Sequence, residues 1–237
     1  MNMKVCCVLI LLAGACSPMP AWSRQPGETE MKVRDLVQDL KSGETIARRK
    51  ATEALGDIGP KAKLAEGDLV AALKDKDMFV RRGAARALGL ISPDPAKAAP
   101  ALAKAMHDEN KEVAEAAGNA MTKLGEPAVK TLVAALKDKD PLVRRISIQA
   151  LGEMGAEAKE AVPALIDTLK NEAPTLPRRP GMKGENIRGE TVLALGKFGS
   201  LAKDAVPVIK QTLEGNRDRQ YRQAADEAIR KIEGSKR

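Results

Sequence analysis

The chain has few of the residues that most often carry chemistry. It has one histidine, His107, and its three cysteines, Cys6, Cys7 and Cys16, all lie in the first 16 residues. A nucleophile with its base, a metal cluster or a disulfide framework needs several such side chains in the folded part of a protein. We therefore predict that the protein is not an enzyme and that it has no catalytic residue, metal site or cofactor. Carboxylates alone can also carry chemistry, but no pair of acids stands out.

Aromatic residues are also scarce, at 2% of the sequence. After Trp22 only Phe79, Phe198 and Tyr221 follow, too few to stack the bases of a nucleic acid, so we predict no nucleic-acid partner. The net charge of +8 favours anionic partners, among them acidic proteins, polyanionic wall material and lipid head groups. We expect another protein with an acidic surface.

The first residues have the composition of a signal peptide. Lys4 precedes an unbroken run of nine apolar residues, well short of the roughly 20 that a membrane span needs. The tripeptide at residues 13–15, Ala-Gly-Ala, fits a cleavage site, and a second candidate lies at residues 21–23. We assign residues 1–23 to a signal peptide, cleaved before Cys16 or at the later site, and expect an exported protein of the periplasm or cell envelope.

Cys16 permits an alternative interpretation of this leader. It follows Ala15 directly, as the acylated cysteine does in a bacterial lipoprotein, although Ala13 stands where such proteins usually have leucine. Lipidation of Cys16 would anchor the protein, and we expect membrane contact only through such an anchor.

The rest of the chain is repetitive. The string LVAALKDKD occurs at residues 69–77 and again at 132–140, and each copy leads into Val-Arg-Arg. Laying the phrase that begins at Val80 over the sequence gives six copies, spaced 30 to 34 residues apart except for 44 between the fourth and the fifth. Repeats of this length are single helix pairs of a solenoid. The six copies start at Ala47, Val80, Val113, Val143, Ile187 and Tyr221.

Each copy carries the pattern of a helix with one buried face. Apolar or small residues recur at Val80, Ala84, Leu88 and Ile91, which marks the second helix of each pair. Prolines are expected in the first turn of the first helices, and glycines in a left-handed position after the second helices. These residues are Pro100, Pro163 and Pro207, and Gly59, Gly125, Gly155 and Gly199.

Together these signals predict an all-α fold, an α-solenoid (superhelix) of about six helix pairs. Residues 24–237 form a single domain in this interpretation, and we expect it to be a monomer. Because each unit contacts only its neighbours, such a fold offers an extended binding surface rather than a buried catalytic cleft.

The units resemble HEAT repeats of the short, phycobilisome-lyase-like (PBS lyase HEAT-like) type. They share Asp in the turn, Val-Arg at the start of the second helix and Ala-Leu-Gly near its end, over roughly residues 30–233. Departures occur at Asn110 and Ala114 in the third repeat and at Gly184 in the fifth. The resemblance implies an armadillo-like helical scaffold or adaptor that binds other proteins. Two alternatives stay open: an accessory subunit in tetrapyrrole or cofactor attachment, and a structural spacer of the envelope.

Arginines at the start of the second helices fall into two sets. We expect the first of each pair to be structural, neutralised by acids of its own preceding turn. The second arginines, one step round the helix, have no such built-in partner and are expected to face a ligand. The first set is Arg48, Arg81, Arg144, Arg188 and Arg222, and the second is Arg49, Arg82 and Arg145.

The fifth repeat contains an insertion at about residues 171–186. Its prolines and glycines prevent a helix, and its three basic residues have no acid between them, which suggests a binding edge of the solenoid. With the concave face formed by the second helices, it completes our set of candidate protein-binding residues. They are Arg82, Arg86, Arg145, Gln149, Arg178, Arg179, Lys183 and Gln223.

Overall fold

The structure is a computed structural model that describes residues 27–171, 187–214 and 216–234. All regular secondary structure in these ranges is helical: twelve α-helices and three 3-10 segments, with no strand. None of the described helices is long and apolar enough to cross a membrane. The predicted signal peptide with Cys16, and the insertion beyond Asn171 with Arg178, Arg179 and Lys183, lie outside the described residues.

The helices form six pairs, which confirms the predicted repeat organisation. The first helices of the pairs are α1 (Glu28–Leu40), α3 (Glu66–Ala72), α5 (Pro95–Ala105), α7 (Glu126–Ala135), α9 (Val162–Asn171) and α11 (Val206–Leu213). The second helices are α2 (Thr45–Ile58), α4 (Met78–Leu88), α6 (Lys111–Leu124), α8 (Pro141–Met154), α10 (Ile187–Lys197) and α12 (Arg219–Glu233). The 3-10 segments are Gly59–Ala65, Gly155–Ala161 and Gly199–Ala205.

The pairs stack into a two-layered solenoid with one continuous core. Each second helix packs against its own first helix and against the second helices before and after it, so that the second helices form one row. Val80, Ala84, Leu88 and Ile91 are fully buried, as their spacing predicted. Burial of a large aliphatic side chain contributes about 1.5–3 kcal/mol, so this apolar stripe is the main source of stability.

Small residues let the second helices approach closely. The glycine of the Ala-Leu-Gly motif in one repeat lies against the alanine of the same motif in the next, where a side chain on the glycine would press on the neighbouring backbone. In the third repeat Thr122 replaces this glycine, and Gly118 packs against Ile146 instead. The close pairs are Gly56 with Ala87, Gly89 with Ala120, Gly152 with Ala194, and Gly196 with Ala228.

The four glycines that were predicted after second helices, Gly59, Gly125, Gly155 and Gly199, adopt positive φ angles. Gly59 has φ 65 and ψ −140, and Gly125 has φ 71 and ψ −150. This combination differs from the left-handed helical conformation that we expected, and it is a region that essentially only glycine occupies. It turns the chain directly into the next segment, which in three repeats is a 3-10 turn.

One predicted helix start is wrong. Pro163 and Pro207 are the second residues of α9 and α11, as expected, but Pro100 lies inside α5. That helix begins five residues earlier, at Pro95, because the Asp94 side chain accepts a hydrogen bond from the Ala96 amide at 3.0 Å and caps it.

The close approach of the second helices gives a direct test of the packing. In Gly152→Ala the new Cβ would lie 2.8 Å from the Ala194 Cβ and 2.9 Å from its Cα. We expect the free energy of unfolding to fall by about 1–3 kcal/mol because α8 and α10 must separate, although alanine is the better helix former. Urea denaturation followed by circular dichroism measures the change.

Gly67→Ala is the matched control, because a Cβ at this position of α3 meets nothing within 4 Å. Its free energy of unfolding should stay unchanged or rise by up to about 1 kcal/mol. If the two variants were equally stable, close packing of the second helices would not be what requires glycine.

Candidate functional site

The first arginine of each pair holds its own turn. Its Nη1 atom donates to two backbone carbonyls of the preceding turn: those of Ser42 and Gly43 for Arg48, at 3.2 and 3.1 Å. The same bonds recur in later repeats. They join Arg81 to Asp75 and Lys76, Arg144 to Asp138 and Lys139, and Arg222 to Leu213 and Asn216.

The other edge of the same guanidinium binds a carboxylate of the next repeat. Arg48 donates from Nε and Nη2 to Asp75 at 2.7 and 3.1 Å, and Arg81 donates to Asp108 at 2.7 and 2.9 Å. This corrects our expectation that the acids would come from the arginine's own turn. Burial tends to raise the pKa of Asp75 and Asp108, but the hydrogen bonds from the arginines and the turn amides outweigh it and lower the pKa. We call each such contact a rung.

A second acid or amide in each turn caps the second helix. Asp77 Oδ1 accepts from the amides of Phe79 and Val80 at 3.1 Å, and Asp140 and Asp218 make equivalent bonds. Asn110, a departure from the family pattern, caps α6 in the same way.

The third repeat lacks the first arginine, and a histidine replaces it. Ala114 occupies the arginine position, and the His107 Nε2 atom lies 2.9 Å from Asp138, the acid of the next turn. Burial tends to lower the pKa of His107, but the hydrogen bonds to Asp138 and to the Ala103 carbonyl outweigh it and raise the pKa above 6.5. His107 therefore forms a rung whose charge depends on pH.

The rung between the fifth and sixth repeats is incomplete. Asn216 stands five residues before Tyr221, where the other turns have Asp75, Asp108 or Asp138. The Arg188 Nε and Asn216 Nδ2 atoms are buried, and neither has a hydrogen-bond partner. This rung therefore has two hydrogen-bond donors, whereas an intact rung has a donor and an acceptor.

The second arginines lie on the exposed face of the second-helix row, and they too have partners. Arg49 binds Asp77 at 2.8 and 2.5 Å and lowers the pKa of that carboxyl to about 2. Arg82 binds Glu112. The lack of a built-in acid in their own turn does not leave these arginines unpaired, because they point along the stack and a neighbouring repeat supplies an acid.

Arg145 is the least accessible of this set. It donates to Glu115 at 3.0 Å and to Gln149 at 3.1 Å, and its side chain is only 12% exposed. Gln149 in turn donates to Glu190 at 3.3 Å. The acid is available because the third repeat carries Glu115 where the first, second and fourth repeats have the second arginine.

Those predicted site residues that the structure describes therefore line three separate grooves of the row rather than one site. Arg82 and Arg86 lie in a groove of about 190 Å³ between α2 and α4. Arg145 and Gln149 lie in one of about 320 Å³ between α6 and α8, and Gln223 in one of about 480 Å³ on α12. Arg86 is exposed and has no polar partner among the described residues.

An exposed aromatic ring marks the first groove. Phe79 is 40% exposed, and the guanidinium carbons of Arg49 and Arg82 lie 4.3 and 5.2 Å from its ring centre. Cation–π contacts of this kind hold the three side chains in place. Glu53 and Asp57 line the same groove, so its charge is mixed rather than basic.

The α12 groove was largely missed by the sequence interpretation. Four arginines surround Gln223, with one acid, Asp226, among them. Three of them recur at the spacing of one side of the last described helix, and the fourth lies in the turn before it. They are Arg217, Arg219, Arg222 and Arg230.

The described part of the chain contains no group of three or more histidine, cysteine, aspartate or glutamate residues that could hold a metal ion. The grooves on the second-helix row are open to solvent, and each carries several charged side chains. This arrangement is suited to contacts with another macromolecule.

The comparison with protein families agrees with this architecture. The family model for HEAT repeats matches residues 33–122 and 99–180, more than half of the chain. The chain belongs to the HEAT-repeat family. No curated protein matches it in sequence.

Two solved structures are similar to this HEAT-repeat protein. The complex of CpcE and CpcF of phycocyanin lyase from Nostoc sp. PCC7120 is 27% identical with a TM-score of 0.54, and the match covers 72% of this chain and 65% of that one. This supports the phycobilisome-lyase-like type of repeat. A designed armadillo repeat protein in complex with the peptide (KR)4 is 18% identical with a TM-score of 0.51, covering 85% and 99% of the two chains, and shows the fold alone.

The histidine rung predicts pH-dependent stability. Because the folded state raises the pKa of His107, its contribution is fully present below the unfolded pKa of about 6.5 and is lost as pH rises through the folded value. We expect the free energy of unfolding to decline as the pH rises above about 6.5, and this decline to flatten in His107→Gln. His107 is the sole histidine, so urea titrations at three pH values isolate it. Equal slopes for both proteins would refute the histidine rung.

The incomplete rung predicts a stabilising substitution. Asn216→Asp supplies the carboxylate that Arg188 lacks and keeps the acceptor for the Asp218 amide. We expect the free energy of unfolding to rise by about 1 kcal/mol.

Asn119→Asp is the control for this substitution. It changes the net charge by the same amount, but Asn119 is exposed and takes part in no rung. It should not stabilise the protein. A gain in both variants would point to general electrostatics instead.

Proposed function

We propose that this protein is a non-enzymatic adaptor that binds a partner protein along the row of second helices. The observation that carries the proposal is Phe79, an exposed aromatic ring held by Arg49 and Arg82 beside a groove. Aromatic and arginine side chains fixed in advance are the residues that dominate binding energy at protein interfaces. The exposed Arg86 borders the same groove.

The family supports a binding role. HEAT and armadillo repeats form extended surfaces, and the similar designed armadillo protein holds a peptide. The preference for an acidic partner rests on the net charge of +8 and on the α12 groove, because the Phe79 groove carries both signs. Arg178, Arg179 and Lys183 remain candidate contacts of the insertion.

A role in cofactor attachment is the second candidate, favoured by the similarity to the phycocyanin lyase complex. Two grooves of the row argue against it: the one beside Phe79 is small, at about 190 Å³, and the one with Arg145 and Gln149 is lined mainly by charged and amide side chains, whereas ligand sites are larger and mostly apolar. We also propose export to the periplasm or cell envelope through residues 1–23, with lipidation of Cys16 as the alternative anchor.

Site-specific crosslinking in whole cells tests the adaptor function. A photoreactive phenylalanine analogue at Phe79 should capture one specific partner, because it keeps the ring in the groove. The same analogue at Leu64, which is 65% exposed and lies in a 3-10 segment of the first-helix layer, is the control. Fractionation of the cells beforehand shows whether the protein is exported. Identical products from both positions would contradict binding by the second-helix row.

The insertion has its own test once the partner is captured. Reversing Arg178, Arg179 and Lys183 to Glu should change the free energy of unfolding by no more than about 0.5 kcal/mol, as for other surface changes. Affinity for an acidic partner should fall, and more steeply at low salt. Unchanged affinity at two salt concentrations would remove the insertion from the binding surface.

A further inference from the structure

The last described helix presents one half of a rung. Arg222 Nη1 donates to the carbonyls of Leu213 and Asn216 at 3.2 and 3.0 Å, as the first arginines of earlier repeats do with their own turns. These bonds fix one edge of the guanidinium. In Arg48 and Arg81 the opposite edge holds a carboxylate through two hydrogen bonds.

No carboxylate of the described residues binds the free edge of Arg222. In the interior rungs the arginines are 7% and 11% exposed, because the next turn covers them. No turn follows α12 within the described ranges, and Arg222 is exposed. The fold therefore leaves an arginine oriented for a carboxylate that its own described residues do not supply.

The surroundings of Arg222 reinforce this chemistry. Arg217, Arg219 and Arg230 line the same pocket of about 480 Å³, are exposed, and make no ion pair with any described residue. Two neighbouring lysines, in contrast, are paired: Lys231 with Glu227 at 2.6 Å, and Lys210 with Glu233 at 3.3 Å. Arg219, Arg222 and Arg230 thus place unpaired positive charge on one side of α12, where Asp226 is the only acid in the pocket.

We propose that this pocket binds the carboxylates of an acidic segment of a partner protein, with Arg222 as its anchor. The inference deepens the proposed adaptor function, on which it rests, by placing the acidic contact at α12. The interior rungs show the geometry: one carboxylate takes two parallel hydrogen bonds from Nε and Nη2, which a planar guanidinium provides and a lysine does not. Arg219 and Arg230 attract flanking acids.

A labelled peptide of six glutamates is a suitable probe for the full-length protein. Fluorescence anisotropy at low salt should show binding, and Arg219→Glu with Arg230→Glu should weaken it by about tenfold or more. Lys104→Glu with Lys130→Glu, exposed positions on α5 and α7, makes the same change in net charge and should weaken it by less than about threefold. A thermal melt of each variant verifies the fold.

Two single substitutions probe the pocket more finely. Arg222→Lys keeps the charge but loses the paired donors, so affinity should fall by several-fold. Asp226→Asn removes the one acid and should raise affinity. Equal losses in the two double reversals, or no effect of either single substitution, would overturn the assignment to this pocket.

Two further experiments distinguish an acidic partner from other occupants of the pocket. If tripolyphosphate binds and the glutamate peptide does not, the carboxylate assignment is wrong. If the protein alone self-associates in sedimentation experiments and Arg219→Glu with Arg230→Glu abolishes this, the occupant is a second copy and a separate partner is refuted. Crosslinking at Phe79 remains an independent readout, so failure of the pocket and failure of the adaptor function are distinguishable.

Discussion

The arginine rung is the interaction on which the arrangement of the repeats depends. One guanidinium binds the carbonyls of its own turn and the carboxylate of the next, as Arg48 does with Ser42 and Asp75. Apolar burial drives the stacking but has no direction, whereas two parallel hydrogen bonds fix how one repeat is rotated on the next. In a fold where each unit contacts only its neighbours, the geometry at every junction sets the overall shape.

The junctions between neighbouring repeats are not equivalent, and where the third repeat departs from the others it does so in both its helix packing and its rung. The third repeat lacks both the close-packing glycine and the first arginine, because Thr122 and Ala114 stand at these positions. Gly118 against Ile146 and His107 against Asp138 take their places. At the junction before α12 the glycine contact is kept, but Asn216 leaves the rung unsatisfied. Local opening of the solenoid should therefore be easiest at these two junctions, since stability is a sum over neighbouring contacts.

The sequence predicted the fold well because the repeat itself contains the information. The apolar spacing around Val80 and the glycines after the helices depend on local geometry, which is the same in every copy. The partners of the arginines could not be predicted in this way, because spacing along the chain does not indicate which acid of a neighbouring repeat lies close to each arginine. The partner of His107 could not be predicted for the same reason, because Asp138 lies 31 residues away. Pro100 was misplaced because Asp94 supplies an earlier cap.

The rungs also explain which charged side chains are available to bind a partner. Each arginine rung uses a turn acid and most of the donors of one arginine, and the second arginines are paired with Asp77, Glu112 and Glu115. Only charges outside this pairing can contribute fully to binding, because a partner does not have to displace an existing contact. Arg86 and the α12 arginines meet that condition among the described residues. The arginine that binds the next repeat's carboxylate in an interior rung is therefore the same group that is exposed on α12. In our proposal a partner's carboxylate would bind it there as the next repeat does elsewhere.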